Sequence, residues 1–395
     1  MNKIKVVIES LPKWSYVQWF LLGFYKLQQQ GKIDLVFKIP LIDSLSLYID
    51  NYYLFGIGQR YYSGRNSFCL EGYVEIEGKK IKFCIDHQDS PFLFDAKLLD
   101  EVNIYFKMQC PKTFDEKGFR LTDKVWIPWT DHSHLDTNIP ISQRGKRKGC
   151  VNLLNNVDKI RPLMVGPRHL GYGNGYHALN KGLLNYMKSK DLMTDKTLMC
   201  YFGNSLGPVP SKGIFKDSYI DYSWESDIMA KYAGMLNHPN EKRYHATKLI
   251  QQMGSAYDGR LIREGSSEGA ASKVNTNQIV PLKSFCDFVS HFKYNLNISG
   301  YRLSIPNRFI ESFMAGTAIV TDKLSVKWYL PFDKEVVETV EMGYLPNQEV
   351  DWERFSYDIE HLPPVEKTDI CKAFDEKWEP SKVALYMISV LLNQK

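Results

Sequence analysis

Residues 4–39 read as a strand, a helix and a second strand in immediate succession, and that order restricts the available folds more than any other feature of the chain. IKVVIE (4–9) is a β-rich run, and a turn containing Pro12 follows it. WSYVQWFLLGFYKLQQQG then spaces its apolar residues at helical intervals and stops at Gly31, after which IDLVFKI (33–39) returns to strand character. Two strands joined through a helix of this length lie parallel, with a right-handed crossover. YVEIEGKKIKFCID (73–86) alternates with period two around Gly78, which predicts a hairpin whose second arm enters the core. VNIYFKMQ (102–109) and VWIPW (125–129) supply further strands of a first α/β unit.

A second series starts at TLMCYFGN (197–204), a strand that runs into Gly203 and is followed by Pro208, Pro210 and a long polar excursion. KRYHATKLIQQMG reads as a helix ended by Gly254, GRLIREG as a strand, PLKSFCDFVSHF as a helix and KYNLNIS as a strand. The helix in SIPNRFIESFMAG and the strand TAIVTD complete the series. Residues 150–194 carry helical text, including ALNKGLLNYMKSKDLM, and no strong strand, so they are expected to connect the two series. A chain of 395 residues exceeds what one core normally supports, about 250–300 residues. The expectation is therefore an α/β protein with two Rossmann-like, doubly wound parallel-sheet domains facing a central cleft, over 1–190 and 191–378, with an amphipathic helix over 379–395.

Hydrophobic content of 44% with 24% charged residues fits a globular chain and excludes disorder. The net charge of +5 is small for this length and names no partner by itself. It is concentrated in QRGKRKG (143–149), which either is a solvated loop or meets phosphates or an anionic membrane face. Seven scattered cysteines without a C-x-x-C pair fit reduced thiols. MNKIKVVIES opens as a strand, not as a secretory leader, and no uninterrupted apolar run reaches the roughly 18 residues of a membrane span. A cytoplasmic protein is expected, with the inner membrane face as a place of peripheral contact.

One helix carries the functional signal. In open α/β sheets, ligands bind beyond the carboxyl ends of the strands, where helix N-termini present unpaired N–H groups. KYNLNISG brings a strand to such an end, and YRLSIPNR then supplies Arg302, Ser304, Asn307 and Arg308 around a Pro that starts the helix. Glu311 follows one turn in, where the dipole favours its charge and where it can accept hydrogen bonds from the adjacent hydroxyls of a ribose. The alternative is a local Glu311–Arg308 pair with no ligand. Gly203, Asn204 and Ser205 follow another strand and would lie under a diphosphate.

KYNLNISGYRLSIPNRFIESFMAGTAIVTDKLSVKWYLPF (293–332) resembles the nucleotide-sugar half of GT-B glycosyltransferases, in particular the exostosin-like and CAP10/O-glucosyltransferase-like groups. The matching positions are Lys293, Tyr294, Arg302, Arg308, Glu311, Gly316 and Asp322. CYFGN (200–204) is similar to the strand that opens their C-terminal domain. NIYFKMQCP (103–111) resembles their N-terminal text, leaving Lys107 as an acceptor-side or phosphate contact. The resemblance implies a GT-B fold and transfer of a sugar from a nucleotide sugar to a glycan or lipid-linked glycan acceptor in surface polysaccharide or lipopolysaccharide synthesis. It also assigns donor binding to Lys293, Tyr294, Arg302, Arg308 and Glu311, beside Asn307 and the Gly203–Ser205 turn. The paired Glu of retaining enzymes is absent, Leu303 standing in the first position, which points to inversion.

Inverting transfer needs a general base for the acceptor hydroxyl and a means of stabilising the departing diphosphate. No Asp-x-Asp occurs, so no metal and no other cofactor is expected, and Arg with helix N–H groups would hold the phosphates. Candidates for the base are Glu9, then Asp86, His87 and Asp89 in CIDHQDSPF, and Asp131, His132 and His134 in PWTDHSHLD. Asp86 leads because it ends an apolar strand, where apolar walls raise a carboxylate toward neutral pKa; His87 is the substitute. Asp86 and Asp89 would otherwise bond backbone N–H groups in a turn before Pro91. The two His of DHSHLD share a side only in a strand and lack a distant partner cluster for zinc. VGPRHLGYGNGYH (165–177), with Arg168 and His169, reads either as an acceptor or phosphate loop or as a plain interdomain turn. Two other readings stand beside transfer to a glycan: a nucleotide- or glycan-binding module without catalysis, and an enzyme that glycosylates nucleic acid through QRGKRKG. Nucleic acid is not the expected partner.

Overall fold

A computed structural model describes residues 4–10, 17–39, 69–87, 94–111, 138–143, 146–152, 154–167, 196–202, 239–261, 282–299, 304–322, 324, 326–334, 336–340, 342 and 350–393. Strand β1 (Ile4–Ser10), helix α1 (Gln18–Gln29) and strand β2 (Ile33–Phe37) form the unit read from the first residues, with β1 and β2 parallel and Ile4 opposite Ile33. Val6, Val7 and Ile8 are all fully buried, the pattern of a strand covered on both faces. Next, β3 (Cys69–Ile76) and β4 (Lys79–Asp86) make the hairpin expected around Gly78. Glu77 and Gly78 take positive φ values of 51° and 79°, as a two-residue type I′ connection requires.

Helix α2 (Ala96–Glu101), capped by the Asp95 carboxylate, leads into β5 (Ile104–Lys107) and the short β6 (Cys110–Pro111). A separate antiparallel pair, β7 (Asn138–Gln143) and β8 (Lys146–Asn152), precedes β9 (Ile160–Pro162). The first sheet has the order β2-β1-β3-β4-β5-β9. Only β3 runs against its neighbours, so this sheet is mixed and not wholly parallel. Two expectations change here. Lys146, Arg147 and Lys148 belong to a strand instead of a loop, because a run of cations hides the two-residue period. Part of the supposed connector, Ile160–Pro162, is an edge strand too short to be read. VWIPW and the helical text of 178–193 lie outside the described residues.

The second sheet is built from β10 (Lys196–Phe202), α3 (Pro239–Gln252), β11 (Tyr257–Leu261), α4 (Leu282–Val289), β12 (Phe292–Asn297), α5 (Arg308–Met314) and β13 (Ala318–Thr321). After β14 (Val326–Lys327), which pairs elsewhere, β15 (Val337–Thr339) completes it. The order is β11-β10-β12-β13-β15 and every pairing is parallel. Winding reverses between β10 and β12, so the crevice typical of such sheets falls at the carboxyl ends of those two strands. Helix α5 stops where Gly316 takes φ +72°; Thr317 N–H donates to Ser312 O at 2.9 Å and Gly316 N–H to Phe313 O at 3.1 Å. This left-handed closure sends the chain back into β13, as the position of Gly316 predicts.

The last segment holds α6 (Trp352–Glu360), α7 (Lys367–Ala373), a π-helical turn (Phe374–Trp378) and α8 (Pro380–Leu392). Helix α8 returns to the first sheet and packs on α1. Glu379 caps α8 by accepting from Ser381 N–H at 2.8 Å, and it also receives Lys26 Nζ at 2.5 Å. Trp19 Nε1 donates to Trp378 O at 3.3 Å. Trp378 lies 5.1 Å from Trp328, which in turn lies 5.0 Å from Phe332, and Trp19 of α1 lies 6.2 Å from Phe374, so aromatic contacts join the first helix to the C-terminal segment. No helix among the described residues is long and apolar enough to cross a membrane. Cys69, Cys84, Cys110, Cys286 and Cys371 form no disulfide, and burial pushes the thiols of Cys69 and Cys84 well above their ordinary pKa.

Candidate functional site

The carboxyl edges of the two sheets meet. Gln109, two residues beyond β5, donates from Nε2 to Ile305 O at 2.8 Å and accepts from Ile305 N–H at 3.0 Å. Asn307, immediately before α5, donates from Nδ2 to Gly166 O at 2.5 Å. Nearby, β6 pairs antiparallel with β14, Lys327 opposite Cys110. Each contact joins a segment that follows a strand of the first sheet to a segment that follows a strand of the second: Gln109 follows β5 and Gly166 follows β9, whereas Ile305 and Asn307 lie on the stretch between β12 and α5. Ligands of open α/β sheets bind at such edges.

On the second sheet's edge, a polar chain crosses the ends of β12 and β13. Arg308, the first residue of α5, donates from Nη2 to Asn297 Oδ1 at 3.1 Å; Asn297 Nδ2 donates to Thr321 Oγ1 at 3.1 Å. The Asp322 carboxylate accepts from Ser299 Oγ at 2.8 Å and Ser299 N–H at 3.1 Å. Arg243, early in α3, donates from Nε at 3.2 Å and Nη2 at 2.8 Å to Ile298 O. Both arginines are buried. The neighbouring Lys242 places its charge within the field of Asp322. Two helix starts and three cations thus converge on the carboxyl end of β12. Sequence reading missed Lys242, Arg243 and Ser299, because α3 begins far along the chain from the strands it meets. The available signal was a Lys-Arg pair early in a helix, where the dipole does not favour cations.

Burial raises the Asp322 carboxyl above its ordinary 3.8, against the lowering effect of the Ser299 hydrogen bonds and the Lys242 charge. The folded pKa thus exceeds the unfolded one. Its contribution to stability is complete at pH values below the unfolded pKa and is lost as pH rises through the folded one. Asp322→Asn keeps an acceptor for Ser299 and removes this titration. The stability difference between wild type and variant is expected to favour wild type most in acid and to shrink as pH rises. Urea melts of both proteins across a pH series check this; a pH-independent difference would contradict it.

On the first sheet's edge, Asp86 and Lys107 end the adjacent strands β4 and β5 and stand opposite each other in register. Their ion pair, 2.8 Å long, has 0% side-chain exposure on both partners. Tyr105 Oη donates to the same Asp86 oxygen at 2.7 Å and accepts from Asp95 N–H at 2.8 Å. Burial, followed by the Asp86 charge, pushes the Tyr105 hydroxyl well above its ordinary pKa, so it remains a donor. Lys107 Nζ also lies 5.1 Å from the centre of the Phe94 ring. Asp86, the expected leading base, is thus an enclosed, salt-bridged carboxylate, and Lys107, the expected acceptor-side or phosphate contact, is its ion-pair partner. His87 follows directly and is 5% exposed, whereas Glu9 is exposed on β1.

Among the expected donor-site residues, Asn307, Arg308 and Glu311 come together at the start of α5. Glu311 is 1% exposed, so any hydroxyl it accepts from must be enclosed with it. Lys293 and Tyr294 do not join them. They lie at the amino end of β12, Lys293 exposed and Tyr294 donating to Pro363 O at 2.6 Å. In a parallel sheet, that position is three to four residues short of the carboxyl edge where ligands bind. Asp89, Asp131, His132, His134, Arg168, His169, Gly203, Asn204, Ser205 and Arg302 lie outside the described residues. Among the described residues, no cluster of three or more His, Cys, Asp or Glu side chains is placed to hold a metal ion. No family model matches the chain, and no curated protein sequence matches it significantly.

Proposed function

We propose that this chain is a glycosyltransferase of GT-B arrangement that moves a sugar from a nucleotide sugar to a glycan or lipid-linked acceptor, by inversion and without a metal. The observation that carries the proposal is the meeting of two carboxyl edges, joined by the Gln109–Ile305 and Asn307–Gly166 hydrogen bonds. A donor and an acceptor brought to facing edges lie within reach of one another. Arg308, Arg243 and Lys242 at the second edge suit a diphosphate, whose developing charge on departure they would stabilise in place of a metal. The base would come from the first edge, where the buried His87 adjoins the ion-paired Asp86.

A thermal-shift screen against UDP, GDP, CDP, ADP and dTDP tests the donor half. One of them, at 100 times its Kd, is expected to add about 2.7 kcal/mol of stability. Lys242→Ala, at a half-buried position that leaves the core intact, is expected to weaken that ligand about tenfold, the worth of one charge-assisted contact. If no nucleoside diphosphate shifts the melt, the proposal fails. The enclosure of Asp86 favours a second reading, in which the chain binds a nucleotide or glycan without transferring a sugar. Slow hydrolysis of the donor without acceptor separates the two, since only a competent site turns it over.

A further inference from the structure

We infer that Gln109, although it belongs to the first sheet, is a positioning residue for the nucleotide site on the second. The inference rests on the donor-site reading above. Gln109 is 3% exposed, and its carboxamide engages both backbone groups of Ile305, acting as a one-residue stand-in for a strand partner. Ile305 lies in the Ser304–Asn307 segment that carries the chain from the end of β12 into α5. That segment has no ladder of its own, so its N–H and C=O would be left unsatisfied and buried without Gln109, since Ile305 is fully buried. Three residues further on, Arg308 starts α5 and reaches back to Asn297. The geometry at Ile305 therefore sets where α5 begins, and with it the placement of Arg308 and Glu311. Asn307, bonded to Gly166, gives the same segment a second tie to the first sheet.

Two variants separate positioning from simple stability. Gln109→Met keeps the volume and loses both hydrogen bonds; Gln109→Glu keeps the acceptor for Ile305 N–H and sets a carboxylate oxygen against Ile305 O. Two quantities are measured at a temperature where circular dichroism shows the proteins folded. One is the Kd for the nucleoside diphosphate that stabilises wild type; the other is hydrogen exchange over residues 304–307. The expected order of affinity is wild type, then Glu, then Met, with Met weaker by about tenfold or more, and exchange at Ile305 rising in the same order. Equal affinities in folded variants overturn the inference. Loss of the fold in both variants also overturns it, since Gln109 would then be a folding element alone. If wild type binds none of the five diphosphates, the donor-site reading falls, and the nucleotide role of Gln109 falls with it. The exchange data then still report whether the clamp holds the 304–307 segment.

Discussion

Lys107→Met is expected to destabilise the protein by about 3–5 kcal/mol, the usual cost of removing one partner from a fully buried ion pair. Neither side chain of the Asp86–Lys107 pair has any exposure, so Asp86 cannot recruit water in place of the lost ammonium. The Tyr105 hydroxyl still donates to it, but a neutral donor does not replace a cation in a medium of low dielectric. The damage would spread along the chain, because Tyr105 also accepts from the N–H of Asp95, the residue that caps α2. Adding Asp86→Asn to Lys107→Met removes the stranded charge and keeps an acceptor for Tyr105. The double variant is therefore expected to be more stable than Lys107→Met alone, a reversal that only coupled residues show. Urea denaturation of wild type, both single variants and the double variant measures the cycle. A Lys107→Met cost below about 1 kcal/mol, typical of surface pairs, would show that the pair is solvated.

That pair also shows where sequence reading stops. Asp86 and Lys107 each end an apolar strand, and each is recognisable alone as a charge at the margin of a core. Their union depends on β4 lying beside β5 in one register, a non-local pairing that neither segment encodes by itself. Local features were legible for local reasons. Gly78 and Gly316 mark backbone conformations that other residues adopt only under strain, so the hairpin and the end of α5 could be placed from the text. The strand–helix–strand start, the helix closed by Gly254 and the final helix carry clear periodicity, and the structure contains them. By contrast, β9 is three residues long and β8 opens with three consecutive cations, so neither presents an apolar pattern. Lys293 and Tyr294 are the second and third residues of β12, so strand direction alone sets them about 10–13 Å short of its carboxyl end, a consequence of direction that matching text does not carry. Gln109 carries no sequence signal, because its partner Ile305 is 196 residues away.

Gly23→Ala is expected to destabilise the protein by about 3 kcal/mol, although the helix containing it should prefer alanine. In an isolated helix, this change is favourable by roughly 1 kcal/mol. Here α8 crosses α1 at Gly23: a Cβ on that residue would sit 2.2 Å from Pro380 O and 2.9 Å from the Ala384 Cβ. The nearer atom is a backbone oxygen in the first turn of α8, so no side-chain rotation relieves the overlap. The helices must instead separate, and the Lys26–Glu379 bridge at 2.5 Å and the Trp19–Trp378 hydrogen bond at 3.3 Å lie on the same seam. Overpacking of this kind costs about 1–3 kcal/mol where the surroundings can shift. A collision between two helix backbones belongs at the upper end. Ala384→Gly removes only the more distant contact and is expected not to restore stability to Gly23→Ala. A melting temperature for Gly23→Ala equal to or above that of wild type would mean that propensity governs and that the α1–α8 seam is looser than described. A lowered melting temperature that Ala384→Gly leaves uncorrected would locate the collision at the Pro380 carbonyl, the point where the C-terminal helix is held to the first sheet.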